Sequence, residues 1–244
     1  MSLSSQRDAR HDWQALAPNQ IPTKEKWPIL ERFLDQFPPQ PTRGGRRTVL
    51  DLGCGQGKIS RVLFDKGYNV VGIDVNLAAI TEAKNPGPIH SPSHFLHFIP
   101  ADGAAEPPPY LNEAPFDLIV CQLVISIIGD LDDRRQLLTN AFQWLKPGGG
   151  LYLSASGVSN EINTDYAKLY VSDERLTGES YSYLSRDSDG NILYQTHHFQ
   201  EDELQMLLRN AGFSAITIET VIESSSRRPD QAAGFLYAIS QRSF

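Results

Sequence analysis

Apolar positions along the chain recur with two periods, and the way these periods alternate is the first structural signal. Leu30, Phe33, Leu34 and Phe37 fall at i, i+3, i+4 and i+7, one face of a helix. Pro28 is tolerated in a first turn and the PPQPTRGGRR stretch is a stop, so an N-terminal helix is expected over residues 24–37, closing over the site as a lid. Strands and helices then follow one another. TVLDL, NVVGID, HFLHFIP, FDLIVC and the end of LKPGGGLYLSA, after an LKPGG loop, read as apolar strands. KISRVLFDKG, LAAITEAK and a segment from Asp132 to Leu145 read as amphipathic helices among them. Strands that are apolar throughout, spaced by such helices, imply a parallel sheet covered on both faces.

The end of the chain breaks this rhythm. QEDELQMLLRNAGF is a helix with acids in its first turn and Gly212 at its stop. SAITIETV and AAGFLYAIS follow as strands with no helix between them, a connection most easily made antiparallel. The expected fold is therefore α/β: a doubly wound seven-stranded sheet, mostly parallel, with one antiparallel strand near the C-terminus. A stretch of residues 157–199 falls outside the repeat. Ile162, Tyr166, Leu169 and Tyr170 have helical spacing, and YSYLSRDSDGNILYQTHHF reads as a hairpin turning at Asp189-Gly190. Inserted after a strand's carboxyl end, this helix and hairpin would cap the crevice where open α/β sheets bind ligands.

Composition narrows the class. The chain has 244 residues, 40% hydrophobic and 21% charged, which suits a single soluble domain. Its net charge of −7 argues against a nucleic-acid or anionic-membrane surface, which needs clustered Lys and Arg. The short basic runs at Arg43–Arg47 and Arg227–Arg228 read as solvated loops. Two cysteines, Cys54 and Cys121, make neither a disulfide framework nor a metal-ligand spacing. With no long apolar run and a polar N-terminus lacking a secretory segment, a cytoplasmic location is expected, with no metal.

The chemistry concentrates in VLDLGCGQGKI, a strand running through glycines into a helix. A nucleoside-triphosphate loop needs G-x-x-x-x-G-K-[ST], but Ile59 stands where its hydroxyl residue belongs. A dinucleotide fingerprint needs G-x-G-x-x-G, but Lys58 occupies the place of the third glycine. The stretch Asp51-x-Gly53-Cys54-Gly55-x-Gly57 instead resembles the first motif of the class I S-adenosylmethionine (SAM)-dependent methyltransferases, of the small-molecule type. Glycines without Cβ let main chain lie flat against a sugar and a methionine tail. Asp74 with Val75 ends the second strand, and Asp102 with Gly103 follows the third. FDLIVCQLV and LKPGG match the family's later motifs. The resemblance is strong over residues 47–156 and extends in outline over 197–240. It implies a Rossmann-like fold, SAM as cofactor and S-adenosyl-L-homocysteine as product. It further implies Asp74 on the ribose, Asp102 on the adenine amino group, Asp51 near the ligand ammonium, and Cys121, Gln122 and Leu123 along the donor channel.

Each candidate has a plainer reading. The glycines also suit a tight turn, Asp74 a helix cap, and Asp102 an Asp-Gly turn. Cys54 and Cys121 read as small buried residues. His197 and His198 are the candidate proton acceptors, but neighbours on a strand point to opposite faces, so at most one faces the crevice. Packing explains them as readily. Trp13, Tyr166, Tyr170 and Tyr183 are candidate acceptor contacts; Tyr181 belongs to the same cluster, and Lys24 with Trp13 lies in a segment that folds over the donor in related enzymes. Pro108-Pro109-Tyr110 resembles an amino-methyltransferase motif but precedes the fourth strand, so it reads as a rigid loop. The expected activity is methyl transfer from SAM to an O, N or C atom of a small metabolite. No nucleic-acid or membrane partner is expected, and the chain would be a monomer or homodimer. An NAD-dependent oxidoreductase and a non-catalytic SAM-binding module remain the alternatives.

Overall fold

The computed structural model describes residues 13–14, 16–17, 27–39, 45–85, 94–105, 116–225 and 230–243. Lys24, Arg43, the PPY stretch at 108–110 and Arg227–Arg228 lie outside them. Helix α1 (Pro28–Gln36) precedes strand β1 (Thr48–Leu52), α2 (Lys58–Asp65), β2 (Asn69–Asp74) and α3 (Leu77–Ala83). β3 (Leu96–Pro100), β4 (Phe116–Gln122), α4 (Leu131–Trp144) and β5 (Leu145–Ser156) complete the repeat. The insert supplies α5 (Thr164–Thr177) and the hairpin β6 (Ser182–Arg186) and β7 (Ile192–His197), and α6 (Glu201–Asn210), β8 (Ser214–Ser224) and β9 (Ala232–Gln241) end the chain.

The main sheet has seven strands in the order β3-β2-β1-β4-β5-β9-β8. β3, β2, β1, β4 and β5 pair in parallel, and β9 is antiparallel to both β5 and β8. The burial pattern follows position. Central β4 is buried at nearly every residue, whereas edge strand β8 alternates between half-buried and exposed. A strand covered on both faces must be apolar throughout, and an edge strand only on one. One face carries α4 and α6, where Leu137, Leu138, Leu204 and Leu208 meet Leu50, Ile119 and Leu153 of the sheet. The other carries α1 and α2, packed through Phe33, Leu34, Ile59 and Leu63 on Val49, Val120 and Tyr152.

Two expectations are corrected. The LKPGG stretch is strand rather than loop: β5 begins at Leu145, and Leu145 pairs with Phe116 across a register shift before Leu118. Gly149 makes this possible, because a Cβ there would meet the carbonyl oxygens of Lys146 and Asp117 at 2.8 and 2.9 Å. Helix α1 is not a lid. Phe33 and Phe37 pack against Gly150, at the end of the sheet away from the crevice, and Phe33 is fully buried beside Tyr152.

The segment that does reach the crevice is earlier. Asn76 donates from Nδ2 to the carbonyls of Trp13 and Leu16 at 2.8 and 2.9 Å, while its Oδ1 caps α3 by accepting from Ala79. Trp13 then packs on Tyr194 of β7 with ring centroids 4.5 Å apart. The insert is held together by Arg186, which pairs bidentately with buried Asp173 of α5.

Candidate active site

Parallel strands end together, so the loops leaving β3, β2, β1 and β4 share one edge, and antiparallel β9 starts there. A single cleft runs along this edge from Asp102 after β3 to Phe235 in β9. That crosses five inter-strand steps, roughly 24 Å at about 4.8 Å each. Such a length accommodates a nucleoside with an amino-acid tail and a second molecule end to end.

At one end the polar groups are acids. Asp74 lines the cleft, accepting from Gly55 N–H through Oδ2 and from Asn76 N–H through Oδ1, both at 2.8 Å. These bonds fix the carboxylate plane while leaving lone pairs for a ligand. Burial raises its pKa, with the backbone N–H groups working in the opposite direction. The true cap of α3 is Asn76, so the capping alternative for Asp74 falls away. Asp102 also lines the cleft, with one oxygen accepting from Ala104 N–H at 2.8 Å, so the turn role is present alongside access to the ligand space. Val75 and Gly103 line the same end.

The glycine turn divides in two. Gly53 and Gly55 line the cleft, and a Cβ on Gly53 would lie 2.2 Å from Val124 Cγ2. Gly57 does not line it. It starts α2 at φ +78°, and a Cβ there would strike the Phe98 ring at 2.6 Å. The third glycine therefore serves packing, and the turn reading holds at that position. Asp51 and Cys54 also stand behind the cleft. Asp51 is buried, accepts from Ser60 Oγ at 2.5 Å, and burial pushes its pKa up to about 7. Asp51 is not among the residues that line the cleft, whereas its neighbours Leu52 and Gly53 are. Cys54 packs with Phe98 and Ile80, and burial raises its thiol pKa well above the ordinary value.

The β4 end behaves likewise. Cys121 is in the core with its thiol pushed up to about 12 by burial, so it is neither a channel residue nor a reactive one. Gln122 and Leu123 line the cleft. Leu123 sits at φ +59°, a strained conformation for a leucine, held by its N–H donating to Ser154.

Beyond Gln122 the walls become aromatic. Tyr166, Tyr183, Phe235 and His198 line this half, with Ser156 and Ser225 among the polar groups. The Tyr166–Tyr183, Tyr166–His198 and Tyr183–His198 centroids are 5.8, 4.9 and 5.3 Å apart. Tyr170 does not line the cleft; it stands behind His198, its hydroxyl 2.6 Å from Nδ1. That hydroxyl also accepts from Ser159 N–H at 3.2 Å, so the pair holds the His198 ring in place from behind.

His197 points the other way, as strand alternation demands. It is buried between Glu203, 3.0 Å from Nε2, and Ser182, 2.9 Å from Nδ1, with Glu179 at 3.4 Å. Glu179 also accepts from fully buried Arg134 at 2.5 Å. His197 is therefore part of an ionic network outside the cleft, and its candidacy as proton acceptor is withdrawn. Although Glu179, His197 and Glu203 stand close enough to share an ion, the Arg134 guanidinium already occupies the position of countercharge.

Several cleft residues escape sequence reading. Tyr194 and Thr196 line the cleft with His198, and their period-two spacing along β7 is a signal that could have found them. Asp133 and Leu137 arrive on α4, and Ser225 and Phe235 by the β8–β9 pairing; nothing local marks them. Trp13 lines the cleft at the end bearing Val75, on the Asp74 side rather than in the aromatic half.

Comparisons with known proteins agree with this geometry. A family model described as a methyltransferase domain matches residues 10–218. A ubiquinone biosynthesis O-methyltransferase of Coxiella burnetii is 27% identical over 157 residues, 62% of this chain. The chain spans about 60% of the length of that relative. A tRNA 5-carboxymethoxyuridine methyltransferase of Escherichia coli is 31% identical over 127 residues, 52% of this chain and 45% of that one. A SAM-dependent methyltransferase structure from Methanosarcina mazei superposes with a TM-score of 0.74 at 28% identity, covering 91% of this chain and 100% of the other. The chain belongs to the methyltransferase-domain family, within the class I SAM-dependent methyltransferases.

Proposed function

We propose that the protein, acting as a single domain, transfers the methyl group of SAM to an O, N or C nucleophile of a small organic metabolite. The observation that carries this reading is the two-part cleft, with acids at one end, aromatic rings at the other, and Gly53 and Gln122 where they meet. The cofactor would lie with its methionine tail over Gly53 and Gly55, its ribose on Asp74 and its adenine beside Asp102 and Gly103. Its sulfonium methyl would then face the aromatic half. SAM carries its own good leaving group, so the protein supplies alignment and exclusion of water. Trp13 and Tyr194, with ring centroids 4.5 Å apart, would cover the cofactor from above. His198, which lines the aromatic half with Nδ1 held by Tyr170, would meet the acceptor through Nε2 and take its proton where the nucleophile must lose one.

The net charge of −7 supports a metabolite over a polyanion, although one relative is named for tRNA. Two buried free thiols fit a reducing, cytoplasmic setting. The test is incubation with methyl-labelled SAM and a metabolite extract. Label is expected in small extractable products, with Asp74→Ala weakening S-adenosylhomocysteine binding at least tenfold, about 1.4 kcal/mol. Label confined to nucleic acid, or a thermal shift with NADH and none with S-adenosylhomocysteine, would refute the proposal.

A further inference from the structure

One buried donor stands unanswered where the two halves of the cleft meet. Gln122 ends β4 and lines the cleft, yet its Nε2 is buried with no hydrogen-bond partner among the described residues. The amide orientation is set by its neighbour: Tyr152 Oη donates to Oε1 at 2.9 Å. Tyr152 is buried, and burial, followed by the Glu223 charge, raises its pKa, so the hydroxyl keeps the proton it donates. The NH2 group is thereby turned away from Tyr152. Alternation along β4 places Gln122 on the face of Leu118 and Val120, which cluster with Tyr152, Tyr166, Tyr183 and Phe235. That is the aromatic side of the cleft. Buried donors in folded proteins nearly always have a partner, so an orphan at a ligand site marks where a ligand atom belongs.

We propose that Gln122 reads the methyl acceptor, its amide N–H donating to an oxygen on a flat aromatic or heteroaromatic molecule. The inference rests on the methyl-transfer reading above. Ring edges and faces of Tyr166, Tyr183 and Phe235 offer tilted and edge-on packing to a planar guest, a geometry aliphatic chains do not exploit. Tyr152 acts as a positioning residue, since without its hydroxyl the amide is free to turn its oxygen toward the guest. A site built to donate to an oxygen rejects analogues that lack one, because the donor is then left unpaired.

The experiment uses the full chain saturated with S-adenosylhomocysteine and a panel of phenols, catechols and hydroxyquinolines beside their deoxygenated counterparts. Thermal stabilisation by oxygenated planar members, and not by the deoxygenated ones, is expected for the wild type. Members that bind are then assayed with labelled SAM. Gln122→Leu should raise the acceptor KM about tenfold or more and erase the preference for oxygen, while leaving S-adenosylhomocysteine affinity unchanged. Gln122→Glu, which keeps the shape but presents an acceptor, should do the same, and Tyr152→Phe should fall between. Melting of each ligand-free variant separates misfolding from lost recognition. If no planar compound stabilises the loaded wild type, or Gln122→Leu keeps the preference, the proposal is overturned. It is equally overturned if Gln122→Leu weakens S-adenosylhomocysteine binding, which would assign the amide to the cofactor's own carboxylate. Failure of the underlying reading looks different: the wild type itself would not bind S-adenosylhomocysteine.

Discussion

Asp51 shows how one buried side chain couples a motif to pH. Its carboxyl accepts from the Ser60 hydroxyl, and burial lifts its pKa from 3.8 to about 7. A raised acid binds its proton more tightly folded than unfolded, so stability is present below the unfolded value and is lost as pH rises toward and through 7. Asp51→Asn removes the titration. Its melting temperature is expected to fall less than that of the wild type between pH 5 and pH 8, measured by calorimetry at fixed ionic strength. Parallel curves would show that Asp51 is already ionised in the fold. The same residue shows why motif matching overreaches. The acid before the glycines is legible in the sequence, but its burial depends on how β1 sits between β2 and β4.

Short elements decide how the cleft is closed. Trp13 and Leu16 are tied down by two hydrogen bonds from Asn76 and by the ring of Tyr194. This strap joins the Asp74 end of the cleft to the insert hairpin, so loosening it frees that end without removing a core residue of the sheet. Trp13→Ala should weaken S-adenosylhomocysteine binding about tenfold, mainly through faster dissociation. The ligand-free melting temperature should fall by less than in Phe33→Ala, which empties a fully buried site. Stopped-flow dissociation and melting curves check both. Helix α1 was easy to find from its spacing, yet its role was misplaced, because periodicity says which face is apolar and not which surface that face covers.

At the scale of the whole molecule, the insert is joined to the repeat by charge. Arg134 of α4, Glu179 after α5, His197 of β7 and Glu203 of α6 form one network, with Arg134 also over the Phe199 ring. Burial works to raise the Glu203 pKa, but the hydrogen bond and charge of His197 outweigh it and the net shift is downward. A depressed acid contributes stability above its unfolded value of 4.5 that is lost as pH falls through the folded one. Glu203→Gln should therefore cost about 1–3 kcal/mol at pH 7, and the difference from wild type should narrow below the unfolded value. Denaturant titrations at neutral and acid pH measure this; equal differences at both would exclude the linkage.

The doubly wound sheet, its reversed strand, the glycine turn and the two acids after β2 and β3 were all readable from the order of residues alone. Those features are local: period, turn chemistry and spacing are set by neighbours along the chain. Which of His197 and His198 faces the cleft, which glycines line it, and which surface α1 covers were settled only in three dimensions. So were Ser225 and Phe235, delivered by strand pairing, and the orphaned amide of Gln122, fixed by Tyr152 from the next strand. The physical reason is that burial and hydrogen-bond partnership belong to pairs of residues distant in the chain, and no single stretch of sequence records both members.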